Sequence, residues 1–194
     1  MVFTESKIKH LLSSYLPELG TDDIDLFYGI CIYEKVRNRE VILKKGRLDH
    51  NLIFILKGSA RAYQISENGK EVNNHLRSEG HLFGEALAFT NQPQILNIEA
   101  IGQLHYLKFD VTELEHLAFE HQGLMKFYLS QLKEIIITFS HRIDTFVSMS
   151  ASERYEDLVN WNPKYLESTF DKHIASFLGV SPLTIHRAKK HFKK

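Results

Sequence analysis

The chain has 194 residues, 43% of them hydrophobic and 25% charged, an ordinary globular composition long enough to bury a sizeable core. Lysine plus arginine equals aspartate plus glutamate at 24 each, which excludes a chain-wide basic or acidic field. The lone cysteine, Cys31, excludes an intrachain disulfide framework and a four-thiolate metal site.

The first residues carry charges inside their apolar run and lack a signal-peptide core, and no stretch approaches about 20 uninterrupted apolar residues. A cytoplasmic protein without a membrane span is expected. Residues 4 to 30 read as two helical pieces, the second capped around Thr21-Asp22-Asp23. From Cys31 to about Asp110, short β-rich runs alternate with turn residues: IYEKVR, EVILKK, NLIFILKG, SARAYQIS, EVNNHL, ILNIEAIG and LHYLKF. Glu67-Asn68-Gly69-Lys70 is a hairpin signal, and Gly46, Gly58, Gly80, Gly84 and Gly102 punctuate the rest. Many short strands at even spacing predict a sandwich, jelly roll or barrel. The stretch FILKGSARAYQI reads as core rather than site. Phe83, Leu87 and Phe89 are candidates for lining a pocket or for core packing.

After Asp110 the β signal stops. VTELEHLAFEH predicts a short helix, and a long one runs from about Gln122 to Met149. Met125, Leu129, Leu132, Ile136, Phe139, Ile143 and Phe146 recur in alternating steps of four and three, a heptad seam. Leu124, Tyr128, Ile135 and Val147 widen that face. The pattern fits a dimer seam, and equally a helix buried within one subunit. Ser150 and Glu153 have capping-box spacing, and their helix should stop before Asn162-Pro163, with KYLESTF as a link.

The last stretch, DKHIASFLGVSPLTIHRAKKHFKK, has its own logic. Ile174, Phe177 and Leu178 form an apolar helix face, and Ala175 allows close approach of a crossing helix. Gly179 suits a positive-φ turn, Val180 turns inward, and Ser181 with Pro182 opens a second helix. Ile185 and Ala188 face the first helix, which leaves Leu183, Thr184, His186, Arg187, Lys190 and His191 outside. From Asp171 onward there are six lysines and arginines against one acid. This is a helix-turn-helix pattern with a basic second helix, read here as DNA-binding, with a plain αα-hairpin as the bland alternative. Ser181 caps the helix. Thr184, His186 and Arg187 are candidates for base contact, and Lys189, Lys190, Lys193 and Lys194 for phosphates, the last two also for a solvated tail. Any wing would come from residues ahead of the motif.

Eleven histidines raise a metal reading. His75, His81 and Glu85 have part of a cupin spacing, but His105 is the sole later histidine of the β region, so these read as exposed or hydrogen-bonded side chains. No metal, cofactor, nucleophile–base pair or phosphate loop is expected, and the chain is not read as an enzyme.

HLFGEALAF, SASERYEDLV and HIASFLGVSPLTIHRAKK together resemble the cyclic-AMP receptor protein/FNR family of bacterial transcription regulators, over nearly the whole chain. ERY and IASFLGVSPLTIHR are similar to short members from the Bacteroidetes group. The resemblance implies an α+β chain: an N-terminal β-roll (jelly-roll, cyclic-nucleotide-binding-like) over 1–121, a long dimerisation helix over 122–149 and a helix-turn-helix domain over 150–194. It also implies a homodimer, double-stranded DNA as partner, and a small-molecule effector pocket at Phe83, Gly84, Glu85, Ala86, Gln94 and Ile95. Gln94-Ile95 stands where nucleotide-binding members carry Arg-Ser or Arg-Thr, so weak or no cyclic-AMP binding is expected, although backbone N–H groups from Phe83 to Ala86 could cradle an anion. Gly84 could instead serve a tight turn, with Glu85 pairing locally. Leu183 replaces an acid common in relatives, so the preferred DNA sequence should differ. FNR-type oxygen sensing is excluded by the single cysteine. The expected function is sequence-specific transcriptional regulation under an unidentified effector. The alternatives are a cupin-type metal-binding β-roll protein or a dimeric interaction protein that no longer reads DNA.

Overall fold

The computed structural model describes residues 2–84 and 92–192. Glu85, Ala86, Leu87, Phe89, Lys193 and Lys194 lie outside the described residues. Two helices, α1 (Glu5–Tyr15) and α2 (Thr21–Gly29), precede strands β1 (Ile32–Val36), β2 (Val41–Leu43), β3 (Asn51–Ile65), β4 (Glu71–Ser78), β5 (Leu82–Phe83) and β6 (Asn97–Asp110). Then come α3 (Val111–Glu120), α4 (Gln122–Ser148), α5 (Ala151–Trp161), α6 (Pro163–Ser168), α7 (Asp171–Leu178) and α8 (Pro182–Phe192). The α2 helix begins earlier than the sequence suggests: Thr21 is its first residue and Gly20 the cap, whose N–H donates to the Asp23 carboxylate.

The strands form one antiparallel roll in the order β1-β6-β3-β4, with β2 on β6 and β5 on β3. NLIFILKG and SARAYQIS are one strand, not two, and so are ILNIEAIG and LHYLKF. The two glycines that read as breaks are irregularities within continuous strands. Gly58 takes φ +99, and a Cβ there would fall 2.4 Å from the Gln103 carbonyl oxygen. The β3–β6 register shifts on either side of it, between Ile55 and Lys57 and between Lys57 and Ser59. Such bulges bend a strand without ending its ladder, so one strand can serve two layers. The hairpin turn expected at Glu67–Lys70 is present, closed by Ser66 and Lys70, with Gly69 at φ +73 and its N–H donating to the Ser66 carbonyl.

The run Leu52–Leu56 is apolar throughout because both its faces are covered. Leu52, Phe54 and Leu56 point to a helical layer with Ile8, Leu12, Phe27, Leu114, Leu124 and Phe127, whereas Ile53 and Ile55 fill the roll with Leu43, Phe83, Ile98 and Tyr106. A third cluster joins Leu76 and Ile101 of the sheet to Tyr155, Leu158, Tyr165, Ile174, Leu178 and Ile185 of the C-terminal helices. Cys31 donates its thiol to the Phe27 carbonyl, and burial, then Glu113, pushes its pKa up.

The helix predictions hold closely from α3 onward. Ser150 and Glu153 make the reciprocal capping box at α5: the Ser150 N–H donates to Glu153 at 2.7 Å and the Glu153 N–H to Ser150 Oγ at 3.4 Å. The segment read as a link contains a helical turn, α6, with Pro163 at its first position, where its missing N–H costs nothing. Phe27 sits wholly buried among Phe54, Phe109 and Phe127, at ring-centroid distances of 5.0 to 6.5 Å. Phe27→Ala is expected to destabilise the protein by about 3–5 kcal/mol, read as a lower urea midpoint, while Ile65→Ser, at an exposed position at the end of β3, leaves the midpoint of the same titration nearly unchanged.

Candidate nucleic-acid interface and effector pocket

The α7–turn–α8 unit is built by its own sequence. Gly179 ends α7 in the left-handed region at φ +65, and the Val180 N–H reaches back to the Ala175 carbonyl at 2.9 Å. Ser181 Oγ accepts from the Thr184 N–H at 3.1 Å and lies 2.9 Å from its hydroxyl, which caps α8. Ile185 is fully buried and Ala188 packs beside it, so the opposite face is fixed outward. On that face Leu183, His186, Arg187 and Lys190 are exposed. Thr184 is half-buried. Lys189 is held by an ion pair with Asp171, so it is a weaker candidate for phosphate than its charge suggested.

The seam residues lie along α4 in two groups. Leu129, Ile136, Phe139, Ile143 and Phe146 are exposed, Ile136 and Ile143 at 63% and 66%, whereas Met125 packs against the helical core and Leu132 is half-buried. Exposed apolar groups in this register leave a face uncovered by the chain's own core. Its C-terminal end has a second role. Arg142 stacks on Phe146 and Phe177, Arg154 stacks on Phe146, and a Cβ placed on Gly179 would come within 3.0 Å of the Phe146 ring. The seam therefore touches the helix-turn-helix turn directly.

A pocket in the roll is lined by Ala62, Asn74, His75, Phe83, Gly84, Gln94, Ile95, Leu96, Ile98 and Phe139, about 250 Å³ in volume. Of the six residues proposed from sequence, it brings together Phe83, Gly84, Gln94 and Ile95, while Glu85 and Ala86 lie outside the described residues. No lysine or arginine is among these lining residues, and burial, with Arg77 and Arg142 nearby, pushes His75 down to about 3, so it is neutral near pH 7. Gln94 is buried with its main chain tied to Gly46 and Arg47, while its Nε2 has no hydrogen-bond partner among the described residues, and neither does Asn74 Oδ1. The pocket thus offers one buried amide donor and one buried amide acceptor. His81 pairs with Glu134 at 3.4 Å and His105 with the Tyr33 hydroxyl at 2.7 Å. The two histidines of the partial cupin spacing, His75 and His81, go to different partners, Phe139 and Glu134.

Sequence reasoning missed the polar joint between the roll and α7. Arg61, in a stretch read as plain core, donates through Nε and one terminal nitrogen to Glu99 at 3.1 and 3.0 Å, and through the other to Asn73 at 3.0 Å. Glu71 lies 2.6 Å from the same guanidinium. Asn73 in turn donates to the His173 carbonyl at 3.1 Å, and its backbone N–H donates to Ser176 Oγ at 2.9 Å. The polar residues EVNN of β4 were the available signal, since a strand with consecutive polar residues needs partners. Burial, then the Arg61 charge, holds His173 down to about 4. A histidine depressed in the folded state takes its proton more readily when unfolded, so its contribution is intact above about pH 6.5 and is lost as pH falls toward 4. His75 acts in the same direction.

Among the described residues no helix is long and apolar enough to cross a membrane. Residues 33–121 match the cyclic nucleotide-binding domain family. A cAMP-dependent protein kinase regulatory subunit of Blastocladiella emersonii is 30% identical over 69 residues, 36% of this chain and 17% of that protein. Among solved structures, FixK2 from Bradyrhizobium japonicum aligns over 84% of this chain and 85% of its own at 15% identity, with TM-score 0.71. The c-di-GMP responsive global regulator CLP of Xanthomonas campestris aligns over 88% and 90% at 13% identity, with TM-score 0.67. The jelly-roll domain followed by helices is therefore a fold shared with these two structures over 84% and 88% of the chain. The wild-type protein should lose stability between about pH 6.5 and 4, and His173→Gln should flatten that loss by on the order of 2 kcal/mol, measured as urea midpoints across the pH series.

Proposed function

We propose that this chain, which carries a cyclic nucleotide-binding domain over residues 33–121, is a homodimeric, sequence-specific DNA-binding transcription regulator and not an enzyme. The observation that carries the reading is the α8 face: His186, Arg187 and Lys190 stand exposed on a helix whose other side is anchored by the buried Ile185. The regulator-type fold and the uncovered α4 face support it. In this reading residues 1–121 sense, 122–149 dimerise and 150–194 contact DNA, in the cytoplasm. Two α4 helices bury their seams together, which places two α8 helices on adjacent turns of a duplex. Arg187 reads a guanine edge in bidentate fashion and His186 supports it. Ser181 and Thr184 position the N-terminus of α8 near the backbone, and Lys190 meets a phosphate. Lys189 joins only where Asp171 releases it.

The roll pocket receives the effector. Its described lining gives a cyclic phosphodiester no cationic partner, so a neutral molecule that accepts from Gln94 and donates to Asn74 fits better than cyclic AMP. An effector there touches Phe139, which lies both in the pocket lining and on the seam, and so biases how the long helices pack.

Three experiments test this. Selection of bound fragments from random duplex DNA should return a two-half-site sequence, and Arg187→Ala should lower affinity for it by roughly tenfold or more while sedimentation still shows a dimer. Sequence preference surviving in that variant sinks the assignment of Arg187. Ile136→Asp combined with Ile143→Asp should give a folded monomer that binds the selected site at least about 100-fold more weakly, since both half-sites must be engaged together. Cyclic AMP should leave the wild-type melting temperature unchanged.

A further inference from the structure

A second cavity lies outside the roll, where β4, α4, α5 and α7 meet. Its volume is about 220 Å³, and its lining combines an apolar wall, including Ile137, Leu158, Trp161 and Phe177, with the side chains of Arg142 and Arg154. An apolar cavity of about 150 Å³ is already enough to accept benzene. This one is therefore large enough for a single aromatic ring with a small substituent.

The charges in the cavity do not cancel. Arg142 donates to the Phe177 carbonyl at 2.9 Å, and Arg154 to the Met149 carbonyl at 3.2 Å. Neither guanidinium forms an ion pair with a described carboxylate. Asp157, on the same wall, is engaged by His141 at 2.8 Å, and Glu134 faces His81. Arg154 Nε is buried without a hydrogen-bond partner among the described residues. Burial, then the neighbouring Arg154 charge, lowers Arg142 to about 10, which keeps it cationic near neutrality. Two mutually repelling guanidinium groups, one with an orphaned buried donor, cost free energy unless an anion meets them. Trp161 and His141, both on the cavity lining, stack with centroids 3.8 Å apart and supply it with a flat aromatic surface.

We propose that this junction cavity binds a small organic anion with a planar apolar body, its carboxylate or phosphate group between Arg142 and Arg154 and its ring against Trp161. The site is a different cavity from the roll pocket, with His75 of β4 lining both. Its occupant bridges the long helix to α5 and to α7, so it holds the angle at which the helix-turn-helix leaves the dimer helix.

Trp161 is the only tryptophan in the chain, so its fluorescence reports the cavity without interference. Full-length protein, free of DNA, is titrated with benzoate, phenyl phosphate and inorganic phosphate, with benzyl alcohol as the neutral isostere. Saturable change in Trp161 emission with benzoate or phenyl phosphate, at least about tenfold tighter than with benzyl alcohol, is the expected result. The benzoate and phenyl phosphate arms distinguish the two acid groups, and inorganic phosphate should bind more weakly than phenyl phosphate. Arg142→Gln and Arg154→Gln, each checked for an unchanged thermal melt and dimer, should weaken binding roughly tenfold, whereas Gln94→Ala in the roll pocket should not. No saturable change with either aromatic anion, equal binding of the alcohol, or binding indifferent to both arginine variants overturns the proposal. Because DNA is absent, none of these outcomes depends on whether the chain reads a duplex.

Discussion

The buried Arg61–Glu99 pair is the constraint around which the two ends of this protein are joined. An arginine at 3% exposure has left water almost completed, and the cost of several kcal/mol per buried ion is recovered only when every donor is met. Here Glu99, Asn73 and Glu71 meet them from the strands on either side of β3, and the Tyr63 ring lies under the guanidinium at 4.1 Å. Asn73 then has its amide left to donate to α7. The ion pair thus fixes the side chain that fixes the C-terminal unit on the roll. An apolar replacement could stabilise the sheet as well, but it would not give α7 a directional seat.

This arrangement makes the α4 helix a shared element. Its first turns are part of the helical core through Leu124 and Phe127, its middle is uncovered, and its end supports the turn at Gly179 through Phe146. Gly123 has no side chain because Asp23 lies against it: a Cβ would fall 1.9 Å from the carboxylate. The helix is pinned at both ends by contacts with other elements and left bare between them. A change in how two such helices pack would be felt at the turn, since Phe139 reaches the roll pocket and Phe146 the turn from one continuous face.

What could be read from the sequence was whatever has a local cause. The capping box of Ser150 and Glu153, the positive φ of Gly179, the stop before Pro163 and the seven-residue rhythm of α4 all follow from neighbours within one or two turns. The roll itself was legible from its turn spacing. Strand length was not, because Gly58 and Gly102 look like breaks in a one-dimensional reading and become bulges only when a partner strand continues past them. The polar joint was hidden for a related reason: Arg61, Asn73 and Glu99 are separated by 12 and 38 residues along the chain, and nothing local says they meet. Lys189 shows the same limit on a smaller scale, its charge being taken up by Asp171, 18 residues earlier.

The position of β6 carries a consequence for how the protein is made. It is the sixth strand in sequence yet pairs with β1, β2 and β3 at once, so it is the staple of the sheet. Until Asp110 has left the ribosome, the earlier strands have edges without their main neighbour, and helices α1 and α2 have no finished surface to settle on. Folding of the nascent chain should therefore wait for a late, non-local closure and only then proceed, with the C-terminal helices alighting last on a roll already formed.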